Sequence, residues 1–198
     1  MRSALIAFLL LIGLPAQAAV VDFEEIPSSA ENNVGFVSSG GFTFTGSDIF
    51  LVLDNSDQTH SDGHYIWGFT IPGDTTLLTI SRDDGLAFDL HSLGLLGTGS
   101  EFTISGYNAS DQLIATTEIL PTDWETSGWE TFGFDGAWDD VSKVVIEDSI
   151  FSFGALMPTT AGIRLDNFSA TVVPIPAAAW LFGSALVGLG WLRRKQTA

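Results

Sequence analysis

The chain has 198 residues, with 24 acidic against 7 basic side chains and a formal charge of −17. Arg2, Arg193, Arg194 and Lys195 lie near its ends, so residues 19–172 carry all 24 acids against only Arg82, Lys143 and Arg164, a formal −21. Such a surface repels phosphate backbones and excludes nucleic acid as a partner, and the absence of cysteine removes disulfides, thiolate zinc sites, iron–sulfur clusters and thiol nucleophiles.

Residues 1–18 open with Met1-Arg2, run apolar from Ala4 to Leu14 and end Pro15-Ala16-Gln17-Ala18. The small-x-small ending is what a signal peptidase accepts, and the apolar run is too short for a comfortable membrane span, so the segment reads as a signal peptide.

Residues 19–172 form the exported domain. They show period-two alternation, frequent turn residues and no amphipathic helix, the pattern of an all-β fold. Strands are expected over residues 20–25, 42–45, 49–53, 65–70, 75–81, 87–96, 101–108, 112–119, 130–134, 143–147 and 163–172. Their spacing of about 8 to 12 residues between turn signals favours a two-sheet sandwich. Asp83-Asp84-Gly85 and Asn108-Ala109-Ser110-Asp111 predict hairpin turns, with Gly85 free to take a positive φ. No repeat and no linker divides the domain. Its many Phe, Leu, Ile and Val residues supply a core that needs no disulfide.

Three constellations bear on chemistry. His60 and His64, four apart in a strand and near Asp57, would make a His₂-carboxylate metal site if they shared a face, but they border a polar loop in which histidines are ordinarily solvated. Asp83/Asp84 and Asp139/Asp140 are adjacent carboxylates. Glycoside cleavage instead needs two opposed carboxyls about 5 to 10 Å apart in a cleft, and the Gly-x-Ser-x-Gly, His-Glu-x-x-His and phosphate-loop patterns are all absent, so the chain reads as a non-enzyme. Trp124, Trp129 and Trp138 crowd one Gly- and acid-rich stretch, with Tyr65 and Trp67 on another strand. Such rings either complete the core or, with carboxylates nearby, form a platform that stacks on sugars. Trp124 and Trp129 are the residues of that candidate glycan platform.

The C-terminal segment, residues 173–198, has three parts: Val173, Pro174, Ile175, Pro176 and Ala177; an uncharged run over residues 177–192; and the basic tail Arg193, Arg194, Lys195. The run would extend roughly 24 Å as a helix at 1.5 Å per residue, enough for a single transmembrane helix with local thinning. The trailing cations orient it with the C-terminus cytoplasmic. The two prolines stop the helix from propagating backwards and leave an extended strip accessible to a processing enzyme.

This arrangement resembles the PEP-CTERM class of sorting signals in its VPLPA-like variant, with Ile175 where that variant has Leu. The resemblance implies an exosortase-like membrane enzyme as partner. It also implies export through the inner membrane of a Gram-negative bacterium, a transient membrane anchor, and final delivery to the cell surface or extracellular matrix, alongside exopolysaccharide.

Within the domain, four segments together resemble jelly-roll domains that accompany such signals, and carbohydrate-binding modules: Val21-Asp22-Phe23-Glu24, the stretch over residues 80–92, Phe102-Thr103-Ile104-Ser105-Gly106-Tyr107, and Ile163-Arg164-Leu165-Asp166-Asn167-Phe168. That resemblance implies a two-sheet jelly-roll sandwich whose first and last strands are neighbours. It further implies a structural calcium held by Asp22, Glu24 and Asp166, and a polysaccharide ligand. The alternative at Asp166-Asn167 is a simple β-bulge, because Leu165 and Phe168 break strict alternation there.

Overall fold

Side chains that alternate in polarity along an extended chain fall on opposite faces, and two such sheets can hide their apolar faces against each other. The computed structural model describes residues 18–27, 35–47, 49–54, 63–69, 75–96, 101–119, 129–149 and 162–172. All lie in one compact unit spanning residues 18–172. The segment expected to be a signal peptide, up to Gln17, and the segment expected to be a sorting signal, residues 173–198, fall outside the described residues. No helix among the described residues is long and apolar enough to cross a membrane.

The described residues form twelve strands: β1 (Ala18–Val21), β2 (Phe36–Ser39), β3 (Phe42–Gly46), β4 (Ile49–Asp54), β5 (His64–Phe69), β6 (Thr76–Arg82), β7 (Phe88–Leu96), β8 (Glu101–Tyr107), β9 (Leu113–Ile119), β10 (Glu130–Gly133), β11 (Lys143–Ser149) and β12 (Gly162–Val172). One sheet runs β10-β7-β12-β5-β4, with β1 also on β12, and the other runs β2-β3-β6-β11-β8-β9. Every pairing is antiparallel.

The order in which strands pair identifies the winding. β8 lies beside β9, β7 beside β10, β6 beside β11 and β5 beside β12. A long ribbon is thus doubled on itself and rolled so that successive pairs fall in alternate sheets. That is a jelly roll, a two-sheet β-sandwich.

The core lies between the sheets. Phe42 and Phe44 on β3 meet Phe168 on β12 at ring-centroid distances of 4.9 and 5.5 Å, Phe42 meets Phe88 on β7 at 5.1 Å, and Phe23 closes on Phe44 at 4.9 Å. All are edge-to-face and all five rings are fully buried. At about 1.5 to 3 kcal/mol for each large side chain removed from water, this cluster ties both sheets and the first strand's exit into one body without a disulfide.

Three local expectations are revised. β1 ends at Val21, because Phe23 takes a left-handed φ of 60° and Ile26 N–H closes a turn on the Phe23 carbonyl at 3.0 Å. β2 is an additional strand between Gly35 and Gly40. The turn at Asp83-Asp84-Gly85, where Gly85 has φ 72°, does not join a hairpin: it carries the chain from β6 in one sheet to β7 in the other. Arg82 fastens it, donating to the Ala87 carbonyl at 2.8 Å and to Asp84 at 2.5 Å. The turn at Asn108–Asp111 does join the hairpin β8–β9, and Asn108 Oδ1 accepts from the Ser110 and Gln112 amides.

Candidate functional site

The first and last strands are neighbours over the whole of β1, from Ala18 opposite Thr171 to Val21 opposite Phe168. Farther along the same side of β12, β5 takes over, with Ile66 opposite Leu165. Between them β12 slips register from Asp166 to Ser169, so the bulge expected as the alternative is present. The exit of β1 and the start of β5 meet at this bulge.

Asp166 is 5 % exposed there. Its Oδ1 accepts from the Asn167 amide at 2.7 Å and its Oδ2 from Asn167 Nδ2 at 3.1 Å. Burial pushes its pKa up to about 6, offset in part by the Asn167 amide and reinforced by the negative charges of Asp22 and Glu24. The three carboxylates predicted to hold calcium are therefore brought within electrostatic reach of one another. Among the described residues, no group of three or more His, Cys, Asp or Glu side chains is placed to hold a metal ion.

Glu24 is engaged instead with β5, accepting the His64 amide at 2.8 Å, its Oε2 lying 3.9 Å from His64 Nδ1. Glu25 accepts from the Ser39 hydroxyl, a hydrogen bond that holds its carboxyl below the usual range. His60 and Asp57 lie outside the described residues, so the His60/His64 pair is seen only at His64.

The aromatic residues divide. Trp124 lies outside the described residues. Trp129, just before β10, meets Tyr65 edge-on at 5.4 Å. Trp67 stands opposite Arg164, whose guanidinium carbon is 5.0 Å from the indole centre. Tyr65 is itself buried, and that burial raises its hydroxyl pKa against the pull of Arg164. Trp138, 5 % exposed, belongs to the core. Of the adjacent carboxylates, Asp84 pairs with Arg82 and accepts the Leu86 amide, and Asp83 accepts from the Thr43 hydroxyl; Asp140 is held through its backbone amide, which donates to the Asp89 carboxylate.

Among the described residues, a groove of about 760 Å³ lies between β9 and β10, lined also by Phe134, Asp135, Ala137 and Trp138. Among the described residues, each of these strands is the last in its sheet, paired with a neighbouring strand on one side. Behind β10 a 3₁₀ turn, Gly136–Trp138, is started by Asp135, whose Oδ1 accepts the Ala137 amide at 3.0 Å. The turn drives Trp138 inward. There Gly106 on β8 and its partner Ala115 on β9 leave space that larger residues would fill, and the indole lies over Gly106 with Phe134 edge-on at 4.7 Å.

The result is a floor of Phe132, Phe134 and Trp138 between rims that carry the exposed Glu118 and Asp135. Of these residues only Trp138 stands out in the sequence. Phe132, Phe134 and Glu118 have only strand alternation as a signal, which gives a residue's face but not which strand borders an open edge.

No family model and no curated protein matches this sequence. Among solved structures, the chain is similar to a DUF4465 family protein from Bacteroides caccae (16 % identity, 80 % of this chain and 100 % of that one, TM-score 0.46). It is also similar to a family 29 carbohydrate-binding module (14 % identity, 80 % and 90 %, TM-score 0.41) and to a family 61 module, TmCBM61, in complex with β-1,4-galactotriose (12 % identity, 73 % and 97 %, TM-score 0.42).

Proposed function

We propose that this chain is a non-catalytic surface or matrix protein that binds extracellular polysaccharide along the groove between β9 and β10. The observation that carries the reading is the lining: three aromatic rings on the floor, with carboxylates and edge strands on the rims. Ring faces and edges match the C–H surfaces of pyranoses, while carboxylates, threonine hydroxyls and backbone groups match their hydroxyls. A groove between two edge strands suits an extended sugar chain laid along it.

For delivery, we propose that residues 1–18 are removed on export through a Gram-negative inner membrane. An exosortase-like enzyme then processes the Val173–Ala177 strip while residues 177–192 hold the chain transiently in that membrane, with Arg193, Arg194 and Lys195 on the cytoplasmic side.

Two measurements test the two halves. Retardation of the protein in native gels cast with soluble polysaccharides tests binding, and the same mobility in every gel would end that reading. The intact mass of protein recovered from the cell exterior tests delivery. Material that still carries Trp191 and the basic tail would end the sorting account.

A further inference from the structure

Resting on the polysaccharide reading, we infer that the groove selects glycan chains without acidic substituents and takes chains bearing amino sugars most tightly. Residues 19–172 contain three cations in all, and each is committed elsewhere. Arg82 is ion-paired with Asp84 at 2.5 Å, Lys143 with Asp111 at 2.7 Å while lying over the Tyr107 ring, and Arg164 lies against Trp67 on β5. None lines the groove.

Among the described residues, the ionisable groups that line it are Glu118 on β9 and Asp135 just past β10. Asp135 keeps one oxygen on the Ala137 amide, and Glu118 is exposed on the edge strand. A uronate carboxylate laid on the Phe132–Phe134–Trp138 floor would lose water without meeting a cation, between two like charges and within the field of a domain of formal charge −21. An uncharged pyranose meets none of these penalties. An ammonium group would find an opposite charge on either rim. Rejection of the acidic chain thus comes from repulsion and stranded charge as much as from any attraction to the accepted one.

The test uses the full-length chain in a neutral detergent and three oligosaccharides of equal length: a β-1,4-glucan, a deacetylated chitosan and an oligogalacturonate. At low salt the expected order is chitosan, then glucan, with oligogalacturonate at least tenfold weaker than glucan. Added salt to about 0.5 M should bring chitosan to the glucan value, because screening shortens the reach of rim charges to a few ångströms. Glu118→Gln should lower the ratio of chitosan to glucan affinity at least threefold, the ratio rather than either affinity being the readout. Ala137→Trp, a change at an exposed groove position, should abolish binding of both while leaving the thermal transition in place.

Oligogalacturonate binding as tight as glucan and lost in Ala137→Trp would overturn the charge selection and leave the polysaccharide reading standing. Binding that survives Ala137→Trp would overturn the groove assignment. Absence of binding to all three would overturn both, and a partner found only as a second copy pairing along β9, where Leu113 and Ile114 are 54 % and 42 % exposed, would do the same.

Discussion

Glu24 accepts the backbone amide of His64, 40 residues farther along the chain, at 2.8 Å. This bond links the turn that follows β1 to the first residue of β5, the two strands that share one side of β12. Gly63 makes the approach feasible, because a Cβ at that position would overlap Glu24 Oε1. Gly63→Ala should push the carboxylate off the amide and lower stability by about 1 kcal/mol, the scale of one charge-assisted hydrogen bond at a partly exposed site. In chemical denaturation the double variant with Glu24→Ala should lose little more than Gly63→Ala alone. Additive losses would show that the two residues act independently.

Asp166 gives the fold a defined pH response. Its carboxyl has a pKa near 3.8 when solvated and about 6 in the fold, so the native state binds the extra proton between those values. The stability this group contributes is fully present below pH of about 3.8 and is lost as pH rises through about 6. The difference corresponds to about 3 kcal/mol at most. Asp166→Asn keeps an acceptor for the Asn167 amide and removes the charge. It should be more stable than the parent by about 1 to 3 kcal/mol at pH 8, with the gap closing by pH 4. Among the described residues no group of three or more His, Cys, Asp or Glu side chains is placed to hold a metal ion, so calcium at millimolar concentration should leave this comparison unchanged. A calcium-dependent rise in the parent's melting temperature, absent from Asp166→Asn, would instead restore the Asp22, Glu24 and Asp166 site.

The sandwich was legible because its signals are local. Alternation such as Phe102, Ile104 and Gly106 inward against Thr103, Ser105 and Tyr107 marks a strand wherever it sits, and the broken alternation at Asp166-Asn167 marks the bulge that the register confirms. β2 escaped because Phe36-Val37-Ser38-Ser39 is short and framed by Gly35 and Gly40-Gly41, residues that ordinarily signal a loop. The turn at Asp83-Asp84-Gly85 has hairpin composition, yet whether a chain returns within its sheet or crosses to the other depends on distant partners, β11 for β6 and β12 for β7. The groove was hidden for the same reason. Its walls are the last described strands of two different sheets, and only the pairing order reveals which strands end a sheet.

The seat of Trp138 offers a direct probe of how the groove is built. A Cβ on Gly106 would stand 3.2 Å from both Cε3 and Cζ3 of the indole and 3.1 Å from Val141 Cγ1, with no flexible chain end to give way. Gly106→Ala should therefore tilt Trp138, cost about 1 to 2 kcal/mol as overpacking, and shift its fluorescence toward that of a wetter indole. Glycan affinity should fall in step because the floor is displaced. An unchanged emission spectrum with unchanged affinity would show that the indole has slack.

Trp129 separates the groove from the alternative platform. Its ring meets Tyr65 at 5.4 Å and does not line the groove, so its contribution is to the packing on Tyr65. Trp129→Ala should lower stability by about 1 to 2 kcal/mol, for the lost ring contact and partial burial, and should lower the Tyr65 hydroxyl pKa toward its ordinary value as water reaches it. Glycan affinity should stay within about twofold at a temperature where the variant is fully folded. A loss of ten-fold or more under that condition would move the binding surface from the two edge strands to the face of β5, where Trp129, Tyr65, Trp67 and Arg164 gather.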